Sequence, residues 1–153
     1  MQFRKSHLKF SRLNHIFISH LHGDHCFGLL GLISTLNLLG RTAELHIHSP
    51  KGLETLLTPM LDFFNRQMTY KVLFHEFDTK EPMQIYEDRS LTVTTIPLRH
   101  RMPCCGFLFA EKRRPNHIIR EMVDFYQVPV YELNRIKNGA DSVSYTHLTL
   151  PTI

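Results

Sequence analysis

Ile16-Phe17-Ile18-Ser19-His20-Leu21-His22-Gly23-Asp24-His25 places four potential metal ligands within six residues, directly behind an apolar run. The run reads as a buried strand, so the ligands sit where that strand ends. Imidazole and carboxylate at this density suit zinc or a similar divalent ion. In extended backbone alternate side chains point the same way, so His20 and His22 can reach one ion. Gly23 allows a tight turn, after which Asp24 and His25 can face a second ion. Two ions ~3.5–4 Å apart can clamp the attacking and leaving oxygens of a phosphodiester displacement. Such ions bring the pKa of a coordinated water to about 7, and Asp24 could accept its proton. Four ligands are too few for two ions. The best further candidate is His100, at the polar end of the alternating strand Leu91 to Leu98.

Working outward, Cys26 to Leu39 reads as a helix that is apolar nearly all round and hence buried, with Gly28 and Gly31 packing closely against a neighbour and Gly40 as its stop. Ala43 to His48 reads as a strand. Its His46 and His48 alternate like the first pair, but no acidic partner is near, so they read as structural. Pro50 to Arg66 reads as an amphipathic helix with Leu53, Leu56, Leu57, Met60, Leu61 and Phe64 facing the core. Strands follow at Tyr70 to Phe77, Met83 to Tyr86, Leu91 to Leu98 and Gly106 to Glu111, with turns at residues 78–80 and 87–89. His75 reads as a satisfied strand residue. The order predicts a layered α/β sandwich with helices outside and the site at one sheet edge.

Beyond Lys112-Arg113-Arg114-Pro115, residues 116–127 and 130–137 read as short helices joined at Pro129, with Arg120, Arg135 and Lys137 adding positive charge. From composition alone this is an ordinary solvated face. A net charge of +4 permits a polyanionic partner without demonstrating one, and 42% apolar residues are those of a globular chain. No apolar run approaches a membrane span and no N-terminal segment reads as a signal peptide. The three cysteines form no disulfide framework and read as small buried residues of a protein in the reducing cytoplasm.

The run Asn14 to Leu32, with its Gly28-Leu29-Leu30-Gly31-Leu32 after the histidines, resembles the ribonuclease Z family, tRNA 3′-processing endoribonucleases of the metallo-β-lactamase fold. So do Ile96-Pro97-Leu98-Arg99-His100 followed by Gly106-Phe107, and Val128-Pro129-Val130-Tyr131-Glu132-Leu133 ending in Lys137-Asn138-Gly139. The resemblance runs from about Met1 to Asp141. It implies an αββα sandwich, incomplete at both ends. It implies two zinc ions: His20, His22 and His100 on the first, Asp24 and His25 on the second, with Asp24 as catalytic proton acceptor. That is five of seven ligands, the family's downstream Asp and further His having no counterpart here. Its initial strands with their Gly-rich turn have none either. Residues 112–141 would be part of a basic arm gripping tRNA, with Lys112, Arg113, Arg114, Arg120, Arg135 and Lys137 on phosphates. The implied reaction removes the 3′ trailer of precursor tRNA and leaves a 3′-hydroxyl, in a homodimeric cytoplasmic enzyme. Two alternatives stay open: another hydrolase of this fold, arylsulfatase-like or lactonase-like, and a fragment without activity. Residues 142–153 are expected to be a non-native tail, because Ser142 to Thr152 can be back-translated to a sequence that resembles a transposon-end sequencing adapter read in frame. His147 is therefore not counted as a ligand.

Overall fold

The computed structural model describes residues 9–65 and 67–140, so the expected tail lies outside the described residues. Two compact units divide between Ala110 and Glu111.

In the first unit a short 3-10 turn at Phe10–Arg12 leads into strand β1 (His15–Phe17). One helical turn, α1 (Gly23–Cys26), and helix α2 (Gly28–Leu38) follow, then β2 (Leu45–Pro50), α3 (Leu53–Phe64), β3 (Val72–Phe77), β4 (Gln84–Glu87), β5 (Leu91–Leu98) and β6 (Cys104–Glu111). β1, β2 and β3 form a parallel sheet in that order, and β4, β5 and β6 form a second sheet. Parallel neighbours need crossover connections, and α2 and α3 supply them. The helices put Leu29, Ile33, Leu36, Leu53, Leu57 and Leu61 against Leu45 and Ile47 of β2. Burying one such side chain is worth ~1.5–3 kcal/mol. Tyr70 closes this core, its hydroxyl donating to the Ile33 carbonyl at 2.9 Å. Burial pushes the Tyr70 phenol up to about 12, against the pull of the nearby Arg41.

The opposite face of β2 meets the second sheet through rings. Phe17 packs edge-on against Phe107 and Phe109, and Tyr86 lies 4.3 Å from the His15 ring. Parallel pairing sets His15 beside His46 and His48 beside His75. His15 Nδ1 lies 3.2 Å from His48 Nε2, and His46 Nδ1 lies 2.9 Å from His75 Nε2. Helix, sheet and sheet are thus the layers of this unit, an α/β architecture. No outer helical layer covers the second sheet among its described residues, so the expected αββα order is met over three layers. β4 and β5 are joined at Asp88, whose carboxylate accepts the Ser90 and Leu91 N–H groups at 2.6 and 2.8 Å. Those bonds hold it down at about 2.

Several expectations need correction. The helix after the histidines begins at Gly23, three residues early, so Asp24 and His25 lie on a helical turn rather than a loop. Gly23 is not left-handed; a Cβ there would instead overlap the Phe27 ring. Helix α2 buries one face only, with Leu38 and Leu39 exposed, because the sheet covers it from one side. A Cβ on Gly28 or Gly31 would meet nothing within 4 Å, so neither serves close packing in these residues. Gly40 does stop the helix, at φ +75. Pro50 belongs to β2, and α3 starts three residues later behind Gly52, at φ +105. The Glu76 carboxylate of β3 accepts the Gly52 and Glu54 N–H groups at 2.8 and 3.1 Å and caps that helix. β6 starts at Cys104 rather than Gly106, since both cysteines are buried.

The second unit holds α4 (Arg120–Phe125), a 3-10 turn (Val130–Glu132) and α5 (Leu133–Lys137), shorter than the helices expected. Extended backbone at Ile119 and a left-handed Gln127 bound α4. Val123 of α4 and Ile136 of α5 are the buried apolar residues among the described residues of this unit. No helix among the described residues is long and apolar enough to cross a membrane.

Candidate metal centre

The segment after β1 is held extended from both sides. Ile18 N–H donates to the His48 carbonyl at 2.8 Å, and Cys105 N–H of β6 donates to the Ser19 carbonyl at 3.1 Å. The second bond ties β6, and the 99–103 loop before it, to the motif. Leu21 packs against the core and lies beneath Gly52. The helical turn then closes on His22, whose carbonyl accepts the His25 and Cys26 N–H groups at 2.9 and 3.2 Å.

His20, His22 and His100 each offer a nitrogen within 4.8 Å of the others. His20 is buried, His22 half-buried and His100 exposed. The Ser19 hydroxyl sits 2.9 Å from His20 Nδ1, which leaves Nε2 available to a ligand. Ser19 is a positioning residue the sequence reading did not single out; its place just before the first histidine was the available signal. Burial first, then His25, His100 and His22, push the His20 imidazole below its usual range, against the pull of Asp24. A neutral imidazole is the form a metal binds. At His100, the Arg101 N–H donates to Nδ1 at 2.6 Å. Ligation through Nε2 there requires the other tautomer and release of that bond. With that change, the three nitrogens suit a four-coordinate zinc site with one position left open.

The second-ion candidates stand beside this group but outside it. The His25 ring lies 4.1 Å from that of His20, and His25 Nε2 is 3.4 Å from Asp24 Oδ2. Asp24 is largely exposed. A cavity of about 500 Å³ opens against His100, lined also by Lys51, Lys80, Arg99 and Arg101.

The six expected RNA contacts divide. Arg113, Arg114 and Lys137 line one shallow cavity of about 240 Å³, where Asn116 N–H donates to the Lys137 carbonyl at 2.7 Å. Arg120 pairs with Asp124 at 3.5 Å on exposed helix surface, and Arg135 with the half-buried Glu132 at 3.1 Å. Lys112 does not line that cavity.

Residues 2–118 match the model of the beta-lactamase superfamily domain. Ribonuclease Z of Bacteroides fragilis is 81% identical over 144 residues, covering 94% of this chain and 47% of that protein. Ribonuclease Z of Porphyromonas gingivalis is 48% identical, covering 98% of this chain and 52% of that one. The chain spans about half the length of the curated relatives it matches. Human tRNase Z, short form, superposes with a TM-score of 0.64 at 30% identity, over 74% of this chain and 51% of that structure.

Proposed function

Because the chain belongs to the beta-lactamase superfamily, we propose that it carries the first-ion half of the active site of a zinc-dependent endoribonuclease that removes the 3′ trailer from precursor tRNA. The observation that carries this reading is the convergence of His20, His22 and His100 on one point, in a chain so close to proteins named Ribonuclease Z. His20, His22 and His100 would hold one ion, and Asp24 and His25 would contribute to a second. When bound, the ions supply a nucleophile at neutral pH and stabilise charge on the phosphodiester. Ser19 fixes the ring of His20. Asp24, exposed beside the three imidazoles, accepts the proton released by the attacking water. Arg113, Arg114 and Lys137 would hold tRNA phosphates without reading sequence. Three free, buried cysteines accord with a reducing cytoplasm.

The test is a chimaera in which residues 2–140 replace the matching part of the Bacteroides fragilis protein. It is expected to cleave a trailer-bearing precursor tRNA to a 3′-hydroxyl product and to lose that activity with chelator. A folded chimaera that leaves precursor tRNA intact with zinc and with manganese refutes the reading.

A further inference from the structure

The cavity beside His100 is built from three separate segments. The β2–α3 turn gives Pro50 and Lys51, the β3–β4 turn gives Phe77 to Lys80, and residues 97–104 give the rest. Lys51, Lys80, Arg99 and Arg101 are all exposed at its edge, and none makes an ion pair among the described residues. The single carboxylate in the lining is Asp78, whose Oδ1 accepts the Lys80 N–H at 3.0 Å and holds that turn in place. Four unpaired cations against one carboxylate make a strongly positive pocket. Unpaired cations brought together from distant parts of a chain repel one another, and an anionic ligand relieves that repulsion. Much of the wall is nevertheless apolar, with Phe77, Leu98 and Met102.

Positive edges around an apolar wall are how single-stranded nucleic acid is held, phosphates on the cations and a base against the apolar surface. The volume is that of a pocket for one small organic ligand, ~300–1,000 Å³, which admits a nucleotide or two and excludes a duplex. His100 lies in the wall and also belongs to the group of three imidazoles, so a strand seated here is adjacent to that group.

We propose that this cavity binds the single-stranded RNA that flanks the scissile phosphate, with Lys51 and Lys80 on its backbone. The proposal rests on the endoribonuclease reading for its substrate but makes its own claim about binding.

The experiment measures binding of a labelled five-nucleotide RNA by fluorescence anisotropy between 50 and 200 mM salt, with chelator present, for the parent chain and for Lys51→Gln/Lys80→Gln. Each phosphate contact in a single strand contributes a salt slope of ~0.7. The double variant should therefore lose ~1.4 from the slope and bind several-fold more weakly at the low-salt end. Zinc content of the metal-loaded protein should not change. Inorganic phosphate at the same concentration, and a blunt RNA duplex, should compete poorly. An unchanged slope, or displacement of the oligonucleotide by phosphate alone, overturns the proposal. The two readings fail separately. A chimaera that cleaves while its double variant keeps the full slope refutes the cavity only. Lysine-dependent RNA binding without cleavage by the chimaera refutes the endoribonuclease only.

Discussion

Replacing His48 with Phe should flatten the acid limb of the protein's stability. His48 sits at the centre of the parallel sheet, 3% exposed, with its ring stacked on Phe17 and beside His75 and Tyr86. Its Nε2 meets His15, while Nδ1 is buried without a hydrogen-bond partner among the described residues. Burial, reinforced by His75, His15 and His46, pushes the imidazole down from 6.5 to about 4. A histidine depressed in the folded state binds its proton more readily when unfolded. Stability is therefore full above about pH 6.5 and falls as pH drops through the folded value near 4. At 1.36 kcal/mol per pH unit, that interval corresponds to about 3 kcal/mol, a large fraction of the ~5–15 kcal/mol of a typical domain. Phe keeps the stacking and removes the unpartnered nitrogen, so stability at pH 7 should be little changed. Urea unfolding followed by circular dichroism at pH 7, 5.5 and 4, with chelator present, gives the comparison. The parent should lose about 3 kcal/mol more than His48→Phe between pH 7 and 4. The variant retains a smaller loss from His15 and His75, which burial also lowers. Equal losses in the two proteins would show that His48 is not a buried neutral imidazole, and the packing assigned to the sheet interface would be wrong.

Tyr70→Phe should cost about 1 kcal/mol in the same denaturation, because it deletes the hydroxyl that bonds the Ile33 carbonyl. Gly52→Ala should cost at least ~1 kcal/mol, since φ +105 is strained for any residue with a Cβ. Gly28→Ala, by contrast, should gain ~0.5–1 kcal/mol, as the position is helical and open; destabilisation there would restore the close-packing role withdrawn above. His22→Ala should abolish cleavage by the chimaera and lower its zinc content by direct metal analysis, while tRNA binding measured with chelator stays within twofold.

The residues 20–25 histidine spacing was legible without coordinates, because strand end, alternation and ligand chemistry are all local. So were β5, with its period of two, and the leucine stripe of α3. Hydrogen bonding across many residues decided the rest. That β6 starts at Cys104, and that His100 reaches His20, both follow from a bond between Cys105 and Ser19, 86 residues apart. The span of α2 was misjudged because an apolar sequence shows how much surface could be buried, not how much has a neighbour to cover it. His15, His46, His48 and His75 are unremarkable one by one in the sequence. Parallel register aligns them into one row between two sheets, where desolvation and neighbouring imidazoles push His15, His48 and His75 down from their usual range. Lys51, Lys80, Arg99 and Arg101 likewise read as scattered surface charges until three turns bring them around one cavity. Residue chemistry and short-range spacing thus announced a candidate metal site at a strand end, whereas which distant side chains gather around it, and which imidazoles are desolvated, depends on neighbours that only chain folding supplies.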